Sequence, residues 1–86
     1  MVIIYSTSWC PSCVSAKRLL DSKEIKYEEI NIEEVDISRE ELIKIAGAAT
    51  VPQIMINETP IGGFGNLLEL EQNGELNKML KIWLQN

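Results

Sequence analysis

The fold is decided by a stretch near the amino end of the chain, residues 2–13, which read VIIYSTSWCPSC. Its first part, Val2–Tyr5, is a continuous apolar run rich in β-branched residues, and it predicts a strand buried on both faces. Pro11 suits the first position of a helix, and apolar side chains recur after it at helical spacing. The stretch therefore predicts a strand that leads, through Cys10 as the N-cap, into an amphipathic helix over 11–24.

The next elements are predicted from apolar spacing and capping residues. Residues 27–32 predict a second strand, which should run parallel to the first because a helix connects the two. Ser38 begins a capping-box pattern, and Gly47 is placed to end a second helix. The apolar stripe of this helix is predicted to consist of Leu42, Ile45 and Ala46. A helix with such a stripe covers one face of a sheet.

The carboxyl-terminal half predicts a hairpin followed by two helices. Residues 53–56 and 59–61 flank a two-residue turn, so we expect them to form two antiparallel strands. Asn66, with Glu69 three residues later, resembles a capping box that opens a third helix ending at 73–74. The apolar face of a fourth helix is predicted to be Leu76, Met79, Leu80, Trp83 and Leu84. The order β-α-β-α-β-β-α-α predicts an α/β fold with a four-stranded mixed sheet flanked by helices.

Composition and charge exclude several classes of function. The chain has 86 residues, which suffice for one globular domain over 1–86 and not for two. Its net charge of −5 argues against binding to nucleic acid or to an anionic membrane surface. The absence of histidine removes imidazole bases and histidine metal sites, and we predict no metal site. Because no apolar run is long enough to span a bilayer and residues 1–16 lack the basic start of a signal peptide, we expect a cytoplasmic protein.

Cys10 and Cys13 carry the predicted chemistry. Two cysteines this close do not make a secreted disulfide scaffold, whereas C-x-x-C between a strand and a helix predicts redox chemistry. The free N–H groups and the dipole at a helix start stabilise a thiolate, so Cys10 is the predicted nucleophile. Cys13 shares a helix face with Ala16 and Leu20 and is therefore the predicted resolving thiol. A pair of inert buried thiols is the alternative.

Three neighbours of the cysteines have supporting roles in this prediction. Pro11 fixes the first turn of the helix, so little conformational entropy is lost when the two sulfurs join or part. Trp9 either shields the sulfur or packs against a substrate, and the sequence favours neither role. Ser12 completes the segment between the two cysteines.

Three blocks of this sequence resemble the glutaredoxin family, and they occur in the family's order. The blocks are Ser8–Cys13, Thr50–Ile54 and Gly62–Asn66. The resemblance extends over essentially the whole chain. It implies a thioredoxin-like fold and a thiol–disulfide oxidoreductase that glutathione recycles, with glutathione as co-substrate and no permanently bound cofactor. The implied partners are glutathione and disulfide-containing or glutathionylated proteins, and we expect a monomer.

The resemblance also implies a set of glutathione contacts. The Val51–Pro52 bond is cis in such proteins, which frees the backbone of Val51 to pair with a bound peptide. The implied contacts are Thr7, Thr50, Val51, Pro52, Gly63, Gly65 and Asn66. The charge distribution adds Arg39, which is the only basic residue between 28 and 41 and could contact a carboxylate of glutathione. An ordinary strand start, turn or helix cap is the alternative for the proline, the glycines and Asn66. For Arg39 the alternative is a solvated ion pair with a nearby glutamate.

Glutathione contacts that many glutaredoxins have, several of them charged, are missing from this chain. Thr7 stands where many members have Lys, Ser12 where they have Tyr, and Gly65-Asn66 where they have two Asp residues. Residues 1–16, 45–57 and 59–68 hold no charged side chain, so the predicted active face is nearly neutral. Because glutathione is charged at both ends, the sequence predicts weak glutathione binding for this family.

Two alternative functions therefore stay open at this point. In the first, a thioredoxin-reductase-type flavoenzyme recycles the disulfide in place of glutathione. In the second, the protein is a dimeric carrier of a 2Fe–2S cluster held with glutathione, although Pro11 disfavours this because cluster-binding members usually have a smaller residue there.

Overall fold

The computed structural model describes residues 1–80, which form four strands and four helices in the predicted order. The strands are β1 (Val2–Ser6), β2 (Glu28–Asn31), β3 (Gln53–Ile56) and β4 (Thr59–Gly62). The helices are α1 (Pro11–Ser22), α2 (Arg39–Ala46), α3 (Phe64–Gln72) and α4 (Glu75–Leu80). The sheet has the order β2-β1-β3-β4, and β1 runs parallel to β2 and antiparallel to β3. The predicted four-stranded mixed sheet is confirmed.

Strand β1 lies inside the sheet and contributes to two apolar clusters. On one face, α1, α3 and α4 complete a cluster made of Val2, Ile4, Ala16, Leu20, Ile54, Ile56, Leu67 and Leu76. On the other face, α2 covers a smaller cluster of Tyr5, Ile32, Leu42 and Ala46. Each fully buried large aliphatic side chain stabilises the fold by about 1.5–3 kcal/mol, so the first cluster contributes most of the apolar stabilisation. The prediction that β1 is buried on both faces is confirmed.

Helix α1 begins where the sequence predicts and ends two residues earlier. Cys10 is its N-cap and Pro11 its first residue. The helix stops at Ser22, and Glu24 then adopts a positive φ of 58°, a conformation that cannot continue a right-handed helix. Its buried face consists of Cys13, Ala16 and Leu20, as predicted. A left-handed residue that is neither glycine nor asparagine leaves no mark in the sequence, and the predicted end was therefore wrong.

Two further helix predictions need correction. Ile45 is 37% exposed and not part of the buried stripe of α2, because three residues from Leu42 it lies to one side of the face that Leu42 shares with Ala46. Asn66 does not open α3, whose N-cap is Gly63. The Gly63 N–H donates to Asn66 Oδ1 at 3.1 Å, so Asn66 caps the helix from inside its first turn.

The bounds of the other strands and helices differ from the predicted ones by a few residues at most. Strand β2 is shorter than the predicted 27–32, and β4 extends one residue further, to Gly62. Helix α2 is bounded by a capping box at Ser38 and by Gly47, as predicted. The predicted contacts of Trp83 and Leu84 in the last helix lie outside the described residues. Within residues 1–80, no helix is both long enough and apolar enough to cross a membrane.

Candidate active site

One edge of the sheet collects the loops that hold the predicted site residues. Tyr5 pairs with Gln53, so β1 ends where β3 begins. Ile54 pairs with Gly62, and β4 therefore ends at the same edge. The loop that follows β1, the residues that precede β3 and the turn that follows β4 are consequently neighbours.

The β2–α2 segment approaches this edge from the other side. Strand β2 is parallel to β1, and Asn31 pairs with Ser6 at the end of both strands. The Ile32 N–H donates to the Ser6 carbonyl at 2.9 Å, which continues the pairing into the segment beyond β2. The loop that carries Cys10 is thus flanked by the β3 and β4 loops on one side and by the β2–α2 segment on the other.

Cys10 and Cys13 are joined by a disulfide at the amino end of α1, with their Cα atoms 5.2 Å apart. Cys10 is partly exposed, whereas Cys13 is only 2% exposed. The Cys13 N–H donates to Cys10 Sγ at 3.1 Å, and the Val14 N–H donates to the Cys10 carbonyl at 3.2 Å. Cys10 Sγ therefore lies among the N–H groups of the first turn, at the positive end of the α1 dipole.

The loop before Cys10 presents an aromatic side chain to solvent. Trp9 is 88% exposed, so its ring does not pack in the protein interior. The Thr7 hydroxyl donates to the Trp9 carbonyl at 3.3 Å, which closes a short turn between β1 and the helix. Pro11 and Ser12 are also exposed. A flat apolar surface beside the more accessible sulfur is available to a substrate.

A carboxylate from the β2–α2 segment contacts this loop, which corrects the prediction of a nearly neutral active face. Glu33 Oε1 accepts the Ser8 N–H at 3.0 Å. Asn31 lies between the two, because its Nδ2 donates to Ser8 Oγ at 3.1 Å and its Oδ1 accepts the Glu33 N–H at 3.0 Å. Hydrogen bonds from the backbone N–H and then the hydroxyl of Ser8 lower the pKa of Glu33 below its usual range. The charge lies 25 residues from Ser8 in sequence, and charge mapping along the chain therefore missed it.

A second network was also missed, and it joins α1 to the sheet. The hydroxyl of Ser6, which is fully buried, donates to Glu29 Oε2 at 2.8 Å. The same oxygen accepts a hydrogen bond from Lys17 Nζ at 2.9 Å. The hydrogen bond from Lys17 first, and that from Ser6 second, lower the pKa of Glu29.

The residues that precede β3 have the geometry that the family resemblance implied. The Val51–Pro52 peptide bond is cis. Gln53 is almost fully buried, and its Nε2 donates to Thr50 Oγ1 at 3.1 Å. Arg39 Nη1 donates to the Ala49 carbonyl at 2.7 Å and forms no direct ion pair within residues 1–80, although its positive charge helps to lower the pKa of the exposed Glu33 carboxylate. The Arg39 side chain therefore lies beside the loop backbone that leads into Thr50.

The turn between β4 and α3 packs against the cis-proline loop. A Cβ atom placed on Gly63 would lie 3.5 Å from the Pro52 carbonyl oxygen, which is ordinary contact. Gly62 has a φ of 110°, and a Cβ atom there would lie 2.6 Å from Asn66 Oδ1. Glycine is therefore favoured at position 62, because any other residue would be strained at this φ and would displace the Asn66 side chain that caps α3. Gly65 faces open space.

Comparisons with known proteins point to one family. A family model described as Glutaredoxin matches residues 2–61. A glutaredoxin of Pseudomonas aeruginosa is 46% identical over 79 residues, which cover 92% of this chain and 94% of that protein. The chain belongs to the glutaredoxin family. Glutaredoxin 3 of Escherichia coli is similar too, at 44% identity over 80 residues, or 93% of this chain and 96% of the relative.

Solved glutaredoxin structures share the fold. A buckwheat glutaredoxin–glutathione complex superposes with a TM-score of 0.84 at 28% identity, covering 93% of this chain and 76% of the other. A glutaredoxin of Brucella melitensis gives a TM-score of 0.79 at 39% identity, covering 93% and 87%. The thioredoxin-like fold is confirmed.

Glutaredoxins are glutathione-dependent thiol–disulfide oxidoreductases, and this chain is an enzyme of that kind with a redox-active cysteine pair. These relatives do not favour the flavoenzyme-recycled alternative or the cluster-carrier alternative.

Proposed function

We propose that Cys10 is the nucleophile of this glutaredoxin, that Cys13 is its resolving thiol, and that residues 10–13 are its C-P-S-C active-site motif. One observation carries the proposal: the partly exposed sulfur of Cys10 receives the N–H of Cys13, whose own side chain is buried. The first sulfur is therefore accessible and stabilised as an anion, while the second is accessible only to the first. Trp9, Pro11 and Ser12 support this pair from exposed positions.

The first step transfers the glutathione group of the substrate to the sulfur of Cys10. The Cys10 thiolate attacks a glutathionylated protein at the glutathione sulfur, which forms a mixed disulfide between Cys10 and glutathione. The substrate disulfide breaks at the same time, and the protein thiolate leaves and takes up a proton from solvent. The protein substrate leaves reduced in this step, and the disulfide bond is now held by the enzyme, between Cys10 and glutathione, until the enzyme is recycled.

Two routes recycle the enzyme. In the monothiol route, the thiolate of a second glutathione attacks the bound glutathione sulfur, releases oxidised glutathione and regenerates the Cys10 thiolate. In the dithiol route, the Cys13 thiolate attacks Cys10 Sγ, expels the group bound there and forms the Cys10–Cys13 disulfide. Two glutathione molecules then reduce that disulfide. A protein disulfide is reduced by the dithiol route, and a glutathione mixed disulfide needs only the monothiol route.

Glutathione is proposed to lie across the neutral flank, which we define as residues 50–52 and 62–66. Within residues 1–80, the Val51 N–H and C=O have no backbone hydrogen-bond partner, so they are free for the strand-like pairing that an extended peptide makes. The proposed contacts on this flank are Thr50, Val51, Pro52, Gly63, Gly65 and Asn66, with Thr7 and Arg39 at its borders. The flank offers backbone groups and a helix start to the carboxylates of glutathione, and few charges, which supports weak binding for this family.

The proposal also covers the co-substrate, the partners, the oligomeric state and the location of the protein. Glutathione is the co-substrate, and no permanently bound cofactor is proposed because two thiols suffice to carry two electrons. The proposed protein partners contain a disulfide or a bound glutathione. We propose that the protein acts as a monomer, as the single domain 1–86, in the cytoplasm. Its negative net charge supports the absence of nucleic-acid and membrane partners.

The test is turnover of a small glutathione mixed disulfide by the wild type, Cys10→Ser and Cys13→Ser with millimolar reduced glutathione. We expect Cys10→Ser to be inactive and Cys13→Ser to keep most of the activity, because the monothiol route needs only Cys10. Turnover of a protein disulfide should be lost in both variants. Substantial activity of Cys10→Ser toward the mixed disulfide would overturn the assignment of the nucleophile.

A further inference from the structure

We propose that Glu33 is a positioning residue for the glutaredoxin reaction, because it holds the loop that presents Cys10. The carboxylate accepts the Ser8 N–H at 3.0 Å, two residues before the nucleophile. The proposal rests on the assignment of Cys10 as that nucleophile. It adds a residue from the β2–α2 segment, which flanks the Cys10 loop on the side away from β3 and β4.

The contact is part of a closed set of hydrogen bonds, which we name the loop brace and define as Ser8, Asn31 and Glu33. Asn31 ends β2 in register with Ser6, so its side chain starts from the ordered edge of the sheet. It donates to Ser8 Oγ and accepts the Glu33 N–H, which orients the glutamate toward the loop. Each member of the brace contacts the other two, and the loop is therefore tied to β2 through two side chains rather than one.

The loop has little else to fix it. Within residues 1–80, its other side-chain hydrogen bond is the local one from Thr7 Oγ1 to the Trp9 carbonyl, at 3.3 Å. Trp9 is 88% exposed and does not anchor the loop in the core. The sulfur of Cys10 has to stay at the N-cap, where the N–H of Cys13 reaches it, and a loop free to move would lose that alignment.

The brace also carries a cost, since Glu33 brings a negative charge toward a residue that reacts as an anion. Removing the carboxylate therefore has two opposed effects. Loss of the charge favours the thiolate of Cys10, and loss of the hydrogen bond releases the loop. A glutamine separates the two effects, because its amide oxygen still accepts the Ser8 N–H while its charge is zero.

The experiment compares Glu33→Gln with Glu33→Ala, with Glu34→Gln as the matched control. Glu34 is the next exposed acidic residue, and its carboxylate has no hydrogen-bond partner within the described part of the chain. Turnover of a glutathionylated peptide is measured for all three. A second readout is the pH midpoint of iodoacetamide alkylation of Cys10 in a Cys13→Ser background, which is independent of glutathione binding.

We expect Glu33→Ala to lower kcat/KM by about tenfold, the scale of a modest misplacement of a reacting group, and Glu33→Gln to retain most of it. The alkylation midpoint should be higher in Glu33→Ala than in Glu33→Gln, although both lack the charge. Glu34→Gln should match the wild type in both readouts. Equal kinetics and equal midpoints for the alanine and glutamine variants would overturn the proposal, because only the hydrogen bond distinguishes them.

Thermal melting shows whether each variant folds. If Glu33→Ala does not fold, Ser8→Ala decides the question, since it removes the hydroxyl of the brace at an exposed position and keeps the N–H. A loss of roughly threefold in turnover would support the brace, and wild-type turnover would overturn it. If the nucleophile assignment itself is at fault, Cys10→Ser remains active, which is a different result from any of these.

Discussion

The two flanks of Cys10 differ in charge and in the chemical groups that they present. The neutral flank, residues 50–52 and 62–66, has no charged side chain and presents backbone groups around a cis-proline and a glycine turn. The opposite flank, residues 31–41, carries five acidic side chains, and Glu33 among them is hydrogen-bonded to the loop before Cys10. Under the proposed assignments, glutathione binds on the neutral flank and the opposite flank positions Cys10.

The largest effect is expected where the neutral flank has no space. Gly62→Ala places a Cβ atom 2.6 Å from Asn66 Oδ1 at a φ of 110°. We expect it to lower the free energy of unfolding by about 1–3 kcal/mol and to reduce glutathione-dependent turnover, since the turn packs against the cis-proline loop. Urea denaturation and turnover measure the two effects. Gly65→Ala is the control for the unfolding measurement, because a Cβ atom at Gly65 would face open space, and an equal loss of stability in the two variants would contradict the expected clash.

Adding one of the missing charges to the neutral flank should strengthen glutathione binding. Gly65 stands where many family members have Asp, and its surroundings admit a side chain. We expect Gly65→Asp to lower KM for glutathione by roughly fivefold, as one charge-assisted hydrogen bond to the ammonium group allows. Gly65→Asn is the isosteric control and should change KM much less. If both variants bind glutathione alike, charge is not what this flank lacks.

Arg39 connects the two flanks, and its loss should have a smaller effect. Arg39 Nη1 donates to the Ala49 carbonyl at 2.7 Å, just before Thr50. We expect Arg39→Met to raise KM for glutathione about threefold, because one hydrogen bond to a charged group is lost from an exposed site. Alkylation of Cys10 should not change. Lys44→Met, on the same helix, is the control, and an equal rise in KM there would mean that net charge alone is responsible.

The smallest expected effect is a pH dependence of the free energy of unfolding that arises from Glu29 on β2. The hydrogen bonds from Lys17 and Ser6 lower the pKa of Glu29 below its ordinary value of 4.5. The stabilisation is therefore present above pH 4.5 and is lost as the pH falls through the lower value of the folded state. We expect Glu29→Gln to be less stable than the wild type at neutral pH and to approach it in acid.

The control for this pH dependence is Glu28→Gln, on the same strand, where the described residues form no ion pair. Its stability difference from the wild type should stay small and should not vary in the same way with pH. A constant deficit of Glu29→Gln across the acid range would contradict the linkage.

Much of the fold was predictable because its determinants are local. Cys10 and Pro11 sit where a helix start needs them, and the apolar run of β1 has the length and composition of a buried strand. The capping box at Ser38 and the glycine at 47 likewise defined α2. The predicted start of α3 was wrong. The N-cap is Gly63, and its N–H is bonded by the side chain of Asn66, which lies inside the first turn of the helix.

The candidate site was predictable in its parts and not in its connections. Each of the three family blocks is contiguous in sequence, and the C-x-x-C spacing at a predicted helix start identified the two cysteines. Glu33 and Ser8 are 25 residues apart, and Arg39 and Ala49 are 10 apart, so nothing local shows that either pair is in contact. The parallel pairing of β1 and β2 creates the first contact, and a sequence alone does not give the register of that pairing.

The proposed mechanism requires that Cys10, and not Cys13, is the thiol that reacts with substrates. The most direct measurement is to treat the fully reduced wild type with limiting iodoacetamide and to locate the label by fragmentation of the peptide that contains both cysteines. The label should lie almost entirely on Cys10, because Cys10 is partly exposed at the start of α1 whereas Cys13 is buried. Equal labelling of the two cysteines, or preferential labelling of Cys13, would contradict it.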